Sequence, residues 1–197
     1  MYRAKQRGGS CWVATDDERI ADVVKNFGGQ VVMTSVDCAN GTERCADALR
    51  KLGEIADIVV NVQGDAPLTP PKVVEHLVEA LESDPQAIMA TPAIRCTKSV
   101  LSHLLTDQAA GRVGGTTVVF GDRGYAYYFS KSVIPYVPAK MCEQDFPPVH
   151  LHLGVYAYRL CALDAYMNLP VSNLEQLEGL EQLRFLDAGQ NIRIVSF

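Results

Sequence analysis

Through the first 92 residues, short apolar β-rich runs alternate with amphipathic helical stretches, and this alternation constrains the fold more than any other feature. Residues 11–15 (CWVAT) read as a buried strand. Residues 16–27 read as an amphipathic helix with Ile20, Val23, Val24 and Phe27 on one face, stopped by Gly28-Gly29. A strand at 31–33 and a helix at 42–52 follow. Residues 57–63 (DIVVNVQ) are apolar nearly throughout, as expected of a strand covered on both faces. Pro70-Pro71 opens a helix to about residue 82, because proline suits the first helical turn, and 87–92 is a further strand. Strands and helices at this spacing predict parallel strands joined by right-handed crossovers.

The second half differs in texture. Residues 116–120 and 126–129 flank the 121–124 turn and read as a hairpin or bent pair. Residues 131–148 are proline-rich and read as a long loop. A strand at 151–158, helices at 162–169 and 174–187, and a last strand at 192–195 complete the pattern. The expectation is one α/β domain over residues 1–197 with a mixed sheet.

Composition removes several function classes. Apolar residues make up 48% and charged residues 21%, which is ordinary globular composition without long disorder. No apolar run approaches the roughly 18 residues of a membrane span. The opening MYRAKQRGGS has no apolar core of a secretory signal, so the expected compartment is cytoplasmic. The net charge of −5 argues against a nucleic-acid partner. The six cysteines form no C-x-x-C pair, which speaks against a zinc site, and several sit in apolar runs, where cysteine acts as a small hydrophobe.

In open α/β sheets, ligands bind outside the carboxyl ends of the strands. Three segments fall there. Ala14-Thr15-Asp16-Asp17 follows the first strand, and its aspartates suit the dipole of the next helix. Asn40-Gly41-Thr42-Glu43-Arg44 is a glycine turn feeding a helix, whose N–H groups could receive an anion or a carbonyl oxygen. Asn61-Val62-Gln63-Gly64-Asp65 is an apolar strand ending in polar groups, with Asp65 where a hard cation and a triphosphate would sit. Each also has an ordinary reading as a turn, a cap or, for His152 in its apolar strand, a satisfied core histidine. Their coincidence at strand ends is what points to a nucleotide site.

The segments VATDDERIA, VVMTS, NGTERCADAL, IVVNVQGDAPL, GYAYYFSKSVIPY, HLHLGVYAYR and LEQLEGLEQLR occur in family order. Together they resemble the 3-deoxy-manno-octulosonate cytidylyltransferases, or CMP-Kdo synthetases, over residues 2–195. The resemblance implies a Rossmann-like nucleotide-diphospho-sugar transferase fold with a mixed, mainly parallel sheet. It implies transfer of CMP from CTP to Kdo, an acidic eight-carbon sugar, giving CMP-Kdo and pyrophosphate for lipopolysaccharide synthesis. Mg2+ is the implied cofactor and a homodimer the implied assembly.

Carried over by motif, Gly41, Thr42 and Arg44 match the segment that reads cytosine and ribose. Gln63 matches a sugar-side position and Asp65 a magnesium ligand. His152, Tyr156 and Glu178 match positions around Kdo, and Lys131 a catalytic cation. Glu181, Gln182 and Arg184 belong to a helix signature with a structural share.

There are departures. MYRAKQ aligns with the end of a family helix, so the family's first strand, its phosphate loop and most of that helix are expected to be missing. A later G-V-D-T segment with a second metal carboxylate is expected to be missing too. Ala66 stands for a usual Glu, Lys131 for Arg and Thr117 for Lys. Loss of one electrostatic donor alone removes about 3 kcal/mol of transition-state stabilisation, so weak turnover is expected. Three readings follow: a cytidylyltransferase, active or impaired; a non-catalytic family fragment kept for binding or dimerisation; and a nucleotidyltransferase for another acidic sugar. A dehydrogenase is disfavoured, because no G-x-G-x-x-G follows an early strand.

Overall fold

The computed structural model describes residues 10–53 and 56–197. The reading of MYRAKQ as a helix end therefore lies outside the described residues.

The first elements form where periodicity places them. Strand β1 (Trp12–Thr15), helix α1 (Glu18–Asn26) and strand β2 (Gln30–Met33) make a β-α-β unit whose two strands pair in parallel as a small separate sheet. Asp17 caps α1 by accepting the Arg19 N–H. The apolar face of α1 is narrower than its periodicity suggests. Val24 and Ala21 are buried, while Ile20, Val23 and Phe27 are exposed. Helix α2 (Gly41–Leu52) then packs against β1, β2 and β3 (Ile58–Val62). Among the described residues, β1 and β3 share this cover without pairing with each other. For that reason the apolar strand β3 is only half-buried.

Helix α3 (Pro71–Ser83) begins on Pro71 and buries Val73, Leu77 and Leu81 against β4 (Met89–Arg95). Helix α4 (Lys98–Ala109), capped by Thr97, falls in a stretch to which the sequence pattern assigns no element. Only Leu101 and Leu104 of α4 are buried, too few to mark a strong apolar face. Strands β5 (Thr117–Phe120) and β6 (Ala126–Ser130) form the expected antiparallel pair, with a register shift at Val119/Phe120. The proline-rich loop contains one short helix, α5 (Ala139–Cys142).

Two expected elements are broken. The 151–158 strand is two strands, β7 (His150–His152) and β8 (Val155–Arg159), separated at Leu153-Gly154. The 174–187 helix is two, α7 (Asn173–Glu178) and α8 (Leu183–Asp187). Gly179 divides them in a left-handed conformation (φ 60°), its N–H bonded to the Glu175 carbonyl. Helix α6 (Leu160–Tyr166) precedes them and β9 (Ile192–Ser196) ends the fold.

The seven-stranded sheet runs β3-β8-β4-β7-β5-β6, with β9 on β4. It is mixed, as expected, but not mainly parallel: β4–β9 is its parallel pair, and β3–β8, β4–β8, β4–β7, β5–β7 and β5–β6 are antiparallel. The physical reason is that β8 lies between β3 and β4. The crossover through α3 makes those two strands co-directional without making them neighbours. The break at Gly154 lets β7 and β8 line successive halves of β4. Tyr158, Tyr166, Phe129 and Phe185 form the aromatic centre of the largest core. No helix among the described residues is long and apolar enough to cross a membrane.

Candidate active site

The N-terminus of α2 and the end of β3 meet at Gly41. A Cβ at Gly41 would lie 2.9 Å from Asn61 Nδ2 and 3.6 Å from both Gln63 Nε2 and Glu181 Oε1. Glycine is therefore required by close approach and not by turn geometry. The structure thus brings Gly41, from the segment matched to the cytidine side, next to Gln63, from the strand-end pair.

Each residue of the α2 start is engaged. Asn40 caps the helix, its Oδ1 accepting the Glu43 N–H at 2.9 Å. The Thr42 N–H donates to Glu181 Oε2 at 3.0 Å, and the Thr42 hydroxyl bonds the buried Tyr158 hydroxyl at 2.8 Å. Arg44 donates to Thr34 Oγ1 and pairs with Asp16 at 3.2 Å. The first strand-end segment thus divides its work. Asp17 caps α1, with the Arg19 guanidinium holding its carboxyl down at about 2, and Asp16 orients Arg44. Burial pushes the Cys45 thiol beneath α2 up to about 12, so it packs as a hydrophobe.

On β7, His152 is buried and its Nε2 lies 2.8 Å from Thr91 Oγ1. The single Thr91 hydroxyl proton goes to a backbone carbonyl, that of Val155 at 2.8 Å. His152 therefore donates through Nε2 and keeps Nδ1 as an acceptor. Burial pushes this imidazole down to about 3, so it is neutral. The Tyr156 ring lies beside it, tilted by 38° with centroids 5.5 Å apart, and burial followed by the charges of Glu181 and Asp65 raises its hydroxyl well above the ordinary range. Gln63 passes over Gly154, whose added Cβ would be 3.7 Å from Gln63 Oε1. Asp65 is exposed at the strand end, close enough to act on Tyr156.

Glu178 and Lys131 form a second group. The Glu178 carboxylate accepts Ser130 Oγ at 2.7 Å, the Lys131 N–H at 2.8 Å and the Tyr128 hydroxyl at 3.4 Å. It thereby fastens the end of β6, which presents Lys131. A side chain at Gly179 would come within 2.7 Å of Lys131 Nζ.

Glu181 stands at the α2 start, nearer than its place in the helix signature suggests, and Gln182 stands beside Tyr156. Burial raises the Glu181 carboxyl above its ordinary value. Gln182 Oε1 receives the Tyr156 hydroxyl at 3.4 Å, while Gln182 Nε2 and Asn61 Nδ2 are buried donors with no hydrogen-bond partner among the described residues. The only sequence signal for this pair is the LEQLR signature itself. Together the groups offer hydrogen-bond donors, a neutral imidazole and a strand-end carboxylate. Such a set suits positioning and charge neutralisation in phosphoryl-type transfer, which needs no covalent nucleophile.

Residues 3–192 match the Cytidylyltransferase family model. The chain belongs to the cytidylyltransferase family. It is 47% identical over 183 residues to 3-deoxy-manno-octulosonate cytidylyltransferase of Maricaulis maris (strain MCS10), covering 93% of this chain and 70% of that protein. It is 44% identical over 182 residues to the enzyme of that name from Chlamydia felis (strain Fe/C-56), covering 92% and 66%. To the mitochondrial enzyme of Arabidopsis thaliana it is 41% identical over 183 residues, covering 93% and 60%. The chain thus spans about two thirds of the length of these relatives. A solved CMP:2-keto-3-deoxy-manno-octonic acid synthetase, complexed with CTP, superposes with a TM-score of 0.83 at 37% identity, covering all of this chain and 76% of that one. The α/β nucleotidyltransferase fold implied by the motifs is therefore the fold of this family member.

Proposed function

We propose that this family member transfers CMP from CTP to Kdo, giving CMP-Kdo and pyrophosphate for lipopolysaccharide precursor synthesis, as a cytoplasmic homodimer. The observation that carries the reading is the meeting of the α2 N-terminus with the β3 end at Gly41, where groups matching the nucleotide and sugar segments share one wall. On this reading Gly41, Thr42 and Arg44 take the cytidine side. The fixed donor fork of Arg44, oriented by Asp16, suits a base carbonyl. Gln63, His152 and Tyr156 take the sugar side, with His152 Nδ1 an acceptor suited to a sugar hydroxyl. Glu178 keeps Lys131 presented as a cation towards developing phosphate charge.

The donor set fits magnesium in one respect. The ion favours one or two carboxylates, with phosphate oxygens and water completing the shell, and Asp65 supplies an exposed carboxylate at the strand end. Among the described residues no three-ligand acidic or His/Cys cluster exists, so the triphosphate would furnish much of the coordination. When bound, the ion would neutralise phosphate charge.

The test is calorimetric titration with CTP, with and without Mg2+, followed by a pyrophosphate-release assay with Kdo and with sialic acid. Magnesium-dependent CTP binding and a CMP-Kdo product by mass spectrometry are expected. Absence of CTP binding overturns the reading. Preference for sialic acid reassigns the sugar.

A further inference from the structure

The α2 start is held from a second direction that the substrate reading leaves unused. Tyr166, at the end of α6, is fully buried, its ring 5.0 Å from that of Phe185 and 4.0 Å beneath the Arg184 guanidinium. Phenylalanine would fill this space equally well. The hydroxyl is what packing does not explain, because a buried hydroxyl must find partners. It accepts Asn40 Nδ2 at 3.0 Å and donates to Glu175 Oε1 at 3.2 Å, with the Glu181 carbonyl a longer second acceptor at 3.4 Å. Glu175 is in turn gripped by Arg184, Nε to Oε2 and Nη2 to Oε1 at 2.7 Å each, and closes the capping box of α7 with Ser172.

The identity of residue 40 fits this network. Its Oδ1 caps α2 and its Nδ2 reaches Tyr166. Aspartate would cap equally well and would complement the helix dipole. It could not donate to a hydroxyl whose proton is already committed to Glu175. Asparagine satisfies both ends.

We propose that Tyr166 is a positioning residue: through Asn40 it ties the α2 N-terminus to the Arg184–Glu175 pair and so fixes the orientation of the Thr42–Arg44 turn, whose amides are held by Glu181 and Asn40. The functional half of this rests on the cytidine-side reading given above; the tether itself does not. The network joins residues 126 positions apart, so the aim of the helix is set by the C-terminal elements.

The experiment compares the whole chain with Tyr166→Phe and Asn40→Ser. The first keeps the ring beneath Arg184; the second keeps a cap acceptor and adds no charge. Amide hydrogen exchange is read at Thr42, Glu43 and Arg44, with α3 as an internal control, and CTP binding is read by calorimetry. Both variants are expected to exchange about fivefold or more faster at these amides with α3 unchanged, as for a local opening. Both are expected to bind CTP about tenfold more weakly. Unchanged exchange at these amides overturns the proposal, as does faster exchange with wild-type CTP affinity. If Tyr166→Phe fails to fold, Asn40→Ser decides by the same two readings. A wild type that binds no CTP sinks the nucleotide reading alone, and the exchange rates still decide the tether.

Discussion

The carboxylate of Glu181 accepts the backbone N–H of Thr42 at 3.0 Å, across 139 residues of chain. It occupies one of the donors that a helix start leaves free, and it does so from a largely buried position that disfavours its charge. The same contact therefore satisfies the helix and burdens the fold.

Its sign with pH follows. Burial raises the Glu181 carboxyl above its ordinary value of 4.5, so between that value and the raised one the folded state holds more protons than the unfolded state. Stability from this group is then greatest at low pH and falls as pH rises through the window. Glu181→Gln keeps an acceptor for Thr42 and removes the buried charge. Its melting temperature at pH 7 is expected to exceed that of the wild type; a gain near 1 kcal/mol would appear as about 2–4 °C. The pH slope above 4.5 should flatten in the same variant. Thermal unfolding from pH 4 to 8 measures both.

His152 has the opposite sign. Burial pushes its imidazole down to about 3, against about 6.5 unfolded. In that interval the unfolded state binds the extra proton, so the contribution is complete above about 6.5 and is lost as pH falls towards 3. The loss over the interval is on the order of 5 kcal/mol. His152→Gln can still donate to Thr91 and has nothing to titrate, so its acid-unfolding limb should be markedly shallower. Urea midpoints at pH 7 and pH 4.5 give the comparison, and equal slopes in variant and wild type would remove the assignment.

The contrast between His152 and Glu181 shows what the sequence made legible. Strand ends and a glycine turn single out Gly41, Thr42, Gln63 and Asp65 as candidates, because local periodicity fixes β1, α1, β2, α2 and β3 to within a few residues. The exposure of Ile20, Val23 and Phe27 was not legible, since it depends on how much sheet α1 has to cover. Helix α4 escaped because only two of its leucines are buried. The insertion of β8 between β3 and β4 is a non-local choice that no window of sequence records, and it turns a sheet expected to be mainly parallel into a largely antiparallel one. Glu181 lay hidden in a helix signature because its partner, Thr42, is a backbone N–H with no side-chain signal.

Asp65 is exposed just past the end of β3, and its charge adds to the burial and the Glu181 charge that raise the Tyr156 hydroxyl. Removing that charge should therefore leave the fold intact and act on cation binding. Asp65→Asn is expected to keep the wild-type melting temperature within about 1–2 °C, as for a surface change. The part of CTP affinity that depends on Mg2+ should fall at least about tenfold. Titrating CTP with Mg2+ and again with EDTA separates the two components. An unchanged magnesium-dependent component would move the metal away from this carboxylate.

Gly41→Ala sets two local effects against each other. In a helix, alanine is favoured over glycine by roughly 0.5–1 kcal/mol. Here the new Cβ would meet Asn61 Nδ2 at 2.9 Å, closer than such atoms approach, and Asn61 is short and buried at that atom. Overpacking of this kind typically costs about 1–3 kcal/mol, so the net effect should be destabilising. Asn61→Ala opens the space and removes a donor that has no partner among the described residues, so alone it should cost little. The double variant should then recover most of the loss and expose the helix preference for alanine. A double-mutant cycle on urea unfolding reads the coupling directly, with an expected interaction of about 1 kcal/mol or more between the two positions. Simple additivity would show that α2 shifts freely against β3 and that Gly41 is not fixed by close approach to the strand end.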